Sequence, residues 1–114
     1  MYFRLFMLEV NSKVELDKLI SQYGHVLALF AASHCPFCQR FAKVFSTHIT
    51  RCSVDLVVRV NMDDFNGPLW DEYAVNAIPT LIFFENGIIH SRLDASSGVG
   101  LTENQFVDWL KTIH

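Results

Sequence analysis

Strand-like and helix-like hydrophobic patterns alternate along the chain. Residues 2–10 are rich in strand formers. Ser12 with Glu15 three positions on is the signature of a capped helix start. Leu16, Leu19, Ile20 and Tyr23 then share one helical stripe, with Gly24 as its stop. Residues 26–32 form a near-continuous apolar run, the mark of a strand covered on both faces. From Cys38 the apolar positions Phe41, Ala42, Phe45, Ile49 and Cys52 return at helical spacing, and residues 54–62 are a second run of the buried-strand kind. Asn66 is placed to cap a short helix with Pro68 in its first turn, carrying Leu69, Trp70 and Tyr73. Residues 80–84 and 88–93 flank Glu85-Asn86-Gly87, a hairpin-turn composition. After the loose segment 96–100, Thr102 and Gln105 repeat the capping signature, and Phe106, Trp109, Leu110 and Ile113 line a closing helix.

The predicted order is therefore β-α-β-α-β-α-β-β-α. Helices between buried-type strands imply a parallel sheet covered on both faces, and the hairpin adds an antiparallel edge. With no repeat and no linker, residues 1–114 read as a single domain.

Composition narrows the function more than the fold. Hydrophobic residues make up 51% of the chain and ten residues are Phe, which is enough for a core without staples. The net charge is −3 and the Lys and Arg residues are scattered, so a phosphate-binding surface for nucleic acid is not expected. The opening residues are too short an apolar stretch for a secretory leader, being interrupted by Arg4 and followed by Glu9. No segment approaches the roughly 20 apolar residues of a membrane span. Three cysteines are an odd count, and a chain this apolar needs no disulfide framework. With neither leader nor span in view, the expectation is a cytoplasmic protein without membrane contact, and a monomer is expected beside it.

The candidate chemistry sits in Cys35-Pro36-Phe37-Cys38, where a strand gives way to a helix. Unpaired backbone N–H groups and the helix dipole favour a thiolate at Cys35, and cysteines so placed titrate at about 3.5–7.5. Pro36 fits a first helical turn, and Cys38 comes round to the same face within disulfide reach. Cys35 would attack a disulfide and Cys38 would resolve the mixed disulfide, forming a Cys35–Cys38 redox pair. A zinc site would need further ligands. Cys52 lies seventeen residues along, roughly 25 Å if the helix is continuous, and the histidines form no close pair. Neither a metal nor another cofactor is expected. Cys52 reads as a buried, inert thiol on an apolar stripe, and Trp70, Tyr73 and Trp109 as packing residues.

The segments FAASHCPFC, RVNMD and YAVNAIPTLIFFENG, in this order over nearly the whole chain, resemble thioredoxin-fold proteins. The resemblance implies a three-layer α/β/α sandwich with a mixed five-stranded sheet in the order 1-3-2-4-5. It implies a cis peptide before Pro79, facing the cysteines. It also implies a substrate strand paired against Ala77 and Ile78 and flanked by the loop of Gly98 and Gly100. The implied activity is protein-disulfide oxidoreduction, with protein disulfides as substrates and a reductase or small thiol as the resetting partner.

Departures from the family accompany the likeness. Thioredoxins proper carry a motif like WCGPC, whereas residues 34–38 read HCPFC, closer to glutaredoxins in the Pro36-Phe37 dipeptide. Leu29 stands where thioredoxins hold a buried acid, and Arg59 where they hold a lysine. Arg59 is either a charge favouring both thiolates or a strand-end arginine reaching for solvent. His34, if protonated, stabilises the Cys35 thiolate; otherwise it is an exposed polar residue. Two alternatives stand beside the main reading. One is a glutaredoxin-like enzyme using glutathione, for which an iron–sulfur cluster shared between two copies has some precedent. The other is a non-catalytic module presenting an apolar patch around Phe37 and Ile78.

Overall fold

The computed structural model describes residues 7–113. Nine elements follow one another as β1 (Leu8–Val10), α1 (Lys13–Gln22), β2 (His25–Ala31), α2 (Pro36–Ile49), β3 (Leu56–Asn61), α3 (Leu69–Glu72), β4 (Thr80–Glu85), β5 (Ile88–Asp94) and α4 (Glu103–Thr112). The expected first strand is present as β1, and its portion before residue 7 lies outside the described residues.

One sheet runs β1-β3-β2-β4-β5, with β1, β3 and β2 parallel and β4 and β5 antiparallel to their neighbours. The strand order and the mixed sheet agree with expectation. β2 sits at the centre, and six of its seven residues are buried, as a strand covered on both faces must be. Side chains alternate between faces. On one face Phe41 and Phe45 of α2 meet Phe106 of α4, with ring centroids 5.1 and 5.6 Å from it. On the other, Tyr73, which caps the C-terminus of α3, packs on Phe30 at 5.3 Å and Phe84 at 6.3 Å. These aromatics close the two helix layers over the sheet.

Local signals succeeded where one short-range interaction decides. Asn86 at φ 52° and Gly87 at φ 82° make the left-handed pair that a tight hairpin demands. Thr102 and Gln105 form the full reciprocal cap of α4. Four details differ. Ser12 accepts from the Glu15 N–H, but the Glu15 carboxylate reaches Asn11 N–H and not the cap residue, so only half of that box forms. α1 ends at an extended Tyr23, and Gly24 does not adopt a left-handed cap. α3 starts after Pro68 with no side-chain cap; Asn66 instead donates its N–H to Asp64. α2 stops at Ile49, so Cys52 lies beyond it, half-buried, and burial pushes its thiol up from its usual value.

Candidate functional site

β2 delivers the chain to the end of the sheet at its own C-terminus, where Ser33 and His34 turn it into α2. Cys35 is the N-cap of that helix with an extended backbone, and Pro36 occupies the first turn where no N–H is required. The Cys35 sulfur takes the place of a capping oxygen, accepting the Cys38 N–H at 3.2 Å. A donor and the positive end of a 14-residue helix thus converge on this sulfur. The CxxC spacing brings both free thiols together, and both residues are buried, 8% and 7% exposed.

The two sulfurs are not equivalent. Burial, foremost, with the hydrogen bond to Cys35, pushes the Cys38 thiol up to about 12; the backbone at Ala32 and the Arg59 charge pull it down without cancelling that. Cys38 lines a cleft of about 190 Å³ together with Leu29, Ala42 and Arg59. The sheet register explains this neighbourhood: Glu9, Arg59 and Leu29 stand in one row across β1, β3 and β2, on the α2 face. Arg59 therefore faces the dithiol from its own row, but its guanidinium also pairs with Glu9 at 2.8 Å. Among the described residues no carboxylate lines the cleft to accept a proton from Cys38.

Of the remaining expected residues, Phe37 is half-buried with Arg40 5.8 Å above its ring. Gly100, at φ 82°, lies against that ring so closely that a Cβ would sit 3.0 Å from Phe37 Cβ and Cδ1. Gly98, also left-handed at φ 75°, has nothing within 4 Å of where a Cβ would be, so the structure joins only Gly100 to the motif. The Ile78–Pro79 peptide is cis. Thr80 pairs with Phe30 in β2, which brings the turn before it to the end of the sheet where the motif begins. Thr80 is fully buried and satisfies its hydroxyl on the Ala77 carbonyl at 2.7 Å. Among the described residues Ile78 makes no backbone–backbone hydrogen bond outside the strands. Its side chain is buried, so the expected patch of Phe37 and Ile78 is not an exposed one; the exposed apolar side chains are elsewhere, Val99 and Phe65 among them. His34 is exposed.

Sequence reasoning missed Asp63, Ser33 and Gln39. The Ser33 N–H and hydroxyl donate to the two Asp63 oxygens at 2.6 and 3.0 Å, and Gln39 Nε2 donates to the Ser33 carbonyl at 2.9 Å. The Ser33 N–H foremost, then its hydroxyl and the charges of Arg59 and His34, hold the Asp63 carboxyl below the usual carboxylate range. The signal was present as the last residue of RVNMD, but its partner depends on a strand register that the sequence does not display. Among the described residues no group of three or more His, Cys, Asp and Glu is placed to hold a metal ion, and no helix is long and apolar enough to cross a membrane.

Comparison with known proteins bears on the same segments. Residues 7–112 match the Thioredoxin family model. A thioredoxin-like protein of Fusarium culmorum is 35% identical over 81 residues, 68% of this chain and 66% of that protein, so the match spans just under two-thirds of the fungal relative. A thioredoxin of Mycoplasmoides gallisepticum is 32% identical over 81 residues, covering 71% of this chain and 80% of the relative. Among solved structures, a mutant thioredoxin from Halobacterium salinarum superposes with a TM-score of 0.71 at 28% identity, over 92% of this chain and 88% of its own. A thioredoxin of Plasmodium falciparum reaches 0.77 at 20% identity, over 95% and 100%, which speaks for the fold alone.

Proposed function

This chain belongs to the thioredoxin family of thiol–disulfide oxidoreductases, and on that premise we propose that Cys35 and Cys38 are its redox pair, acting on protein disulfides. The observation that carries the proposal is the Cys38 N–H held on the Cys35 sulfur at the head of α2, with the Cys38 thiol buried and protonated beside it. In the first step the Cys35 thiolate attacks one sulfur of a substrate disulfide. A Cys35–substrate disulfide forms and the other substrate sulfur leaves as a thiolate, which takes up a proton. In the second step Cys38 loses its proton and attacks the Cys35 sulfur. The Cys35–Cys38 bond forms and the remaining substrate sulfur leaves reduced, so two electrons and two protons have passed to the substrate. A reductase or small thiol restores the dithiol.

Among the described residues Arg59 is the only charged side chain lining the cleft beside Cys38, and it works in favour of the Cys38 thiolate. An extended substrate strand pairing with the backbone at Ala77 and Ile78 is supported by the unpartnered Ile78 backbone beside Pro79. Phe37 against Gly100 supplies an apolar shoulder for that strand. A monomer working in the cytoplasm belongs to the same proposal, supported by a dense core that needs no disulfide framework. The test is turnover of a protein disulfide by wild type and by Cys35→Ser, with the potential of the pair read from alkylation in graded thiol buffers. Loss of turnover in Cys35→Ser and a two-electron couple near about −270 mV are expected; a value between roughly −230 and −120 mV would indicate glutaredoxin-like or oxidising use. A protein whose two thiols do not titrate as a couple sinks the proposal.

A further inference from the structure

The β2–β3 register keeps a constant offset and ends at Ala31 opposite Asn61. Carried two residues past the strand ends, the same offset sets Ser33 opposite Asp63, and the two are joined by both Ser33 donors. Gln39 of α2 holds the Ser33 carbonyl from the other side. The Asp63 N–H is itself tied down, donating to Asn61 Oδ1 at 2.8 Å, and Asn61 Nδ2 donates to Asn11 at 3.0 Å. Every polar group of Ser33 is therefore engaged, on an otherwise exposed turn two residues before Cys35. Three hydrogen bonds on one exposed residue, two of them to an ionised carboxylate, are more than a turn needs merely to close.

We propose that Asp63 and Gln39 are positioning residues that clamp Ser33, fixing the path of residues 33–35 so that the Cys35 sulfur stays on the Cys38 N–H. The inference rests on Cys35–Cys38 being the redox pair. That N–H stabilises negative charge on the Cys35 sulfur, which exists only in the reduced form. In the oxidised form the sulfur is held covalently by Cys38, and the clamp matters less. Loosening Ser33 therefore costs the reduced form more than the oxidised form, and the couple becomes less oxidising. The Asp63 charge by itself acts in the opposite sense, because a carboxylate near the motif disfavours a thiolate.

The experiment compares wild type, Asp63→Ala, Asp63→Asn and Gln39→Ala. The readouts are the equilibrium constant against a reference dithiol and the rate of Cys35 attack on a model disulfide, with urea midpoints measured in parallel. Both alanine variants are expected to shift the equilibrium about threefold or more towards the disulfide, about 14 mV for a two-electron couple, and to slow Cys35 attack. Asp63→Asn keeps an acceptor for the Ser33 N–H and is expected to recover most of the loss. Gln39→Ala carries no change of charge and keeps the test open if Asp63→Ala does not fold. Alanine variants with the wild-type equilibrium constant, whatever their urea midpoints, overturn the clamp and leave Asp63 a structural residue. Asp63→Asn matching Asp63→Ala also overturns it, because an acceptor retained for the Ser33 N–H would then make no difference. A wild type that fails to titrate sinks the redox reading and the clamp together, whereas a titrating wild type with unmoved alanine variants sinks the clamp alone.

Discussion

In the proposed mechanism, release of substrate from Cys35 depends on Cys38 becoming a thiolate, and the burial of Cys38 makes that the harder step. A thiol pushed up to about 12 is ionised to only about one part in 10⁵ at pH 7. An unperturbed thiol near 8.5 is ionised to about 3% under the same conditions, some 3.5 orders of magnitude more. Nucleophilicity rises with basicity by about 0.4–0.5 log units per pKa unit, which returns roughly 1.6 of those orders. The net expectation is a resolving step about a hundredfold slower at pH 7 than an ordinary thiol in the same place would give. Its rate should also rise close to tenfold per pH unit, because among the described residues the cleft around Cys38 is lined by Arg59 and by neutral side chains, with no carboxylate or imidazole to take the proton. Stopped-flow reaction of the reduced protein with an excess of a chromogenic aromatic disulfide separates the steps. The first burst of coloured thiol reports Cys35 and the second reports Cys38. Between pH 6 and pH 9 the second phase should accelerate by about three orders of magnitude with no plateau. A plateau near pH 8, or a second phase indifferent to pH, would show that a group near Cys38 takes its proton, and the argument from the acid-free cleft would be wrong.

Two further outcomes follow from single residues. Gly100→Ala forces a side chain onto φ 82° and onto the Phe37 ring at 3.0 Å, whereas Gly98→Ala meets only its own φ of 75°. The first should cost about 2–3 kcal/mol and weaken substrate binding, the second about 1–2 kcal/mol with binding intact, read from urea midpoints and from KM for a protein disulfide. The Tyr73 hydroxyl is buried with no hydrogen-bond partner among the described residues, and burial, then the charges of Asp17 and Glu72, push its phenol up to about 12 from 10.0. Its folded-state value lies above the unfolded one, so the stability it contributes is whole below pH 10 and is lost as pH climbs towards 12. Tyr73→Phe should therefore leave stability at pH 7 unchanged or raise it by about 1 kcal/mol, and should flatten the alkaline fall in urea midpoint above pH 10.

What the sequence determined by itself were the features that one short-range interaction settles. The Asn86-Gly87 turn follows from two left-handed residues, the α4 cap from Thr102 and Gln105, and the central place of β2 from its unbroken apolar run. The CPFC spacing likewise guaranteed that one helical turn would bring Cys35 and Cys38 together. The tertiary structure decided what surrounds that pair. Whether Arg59 faces the dithiol or solvent depends on which residues share its row in the sheet, and the parallel register sets Leu29 on one side and Glu9 on the other. Asp63 gained its role the same way, since only the offset between β2 and β3 brings it to Ser33 across thirty residues of chain. Asn66 does not cap α3, which starts after Pro68 without a side-chain cap, and its N–H is turned to Asp64 instead. Pairings between distant segments are selected by the packing of the whole core, to which no short stretch of sequence has access, and it is these pairings that give the two cysteines their different chemistry.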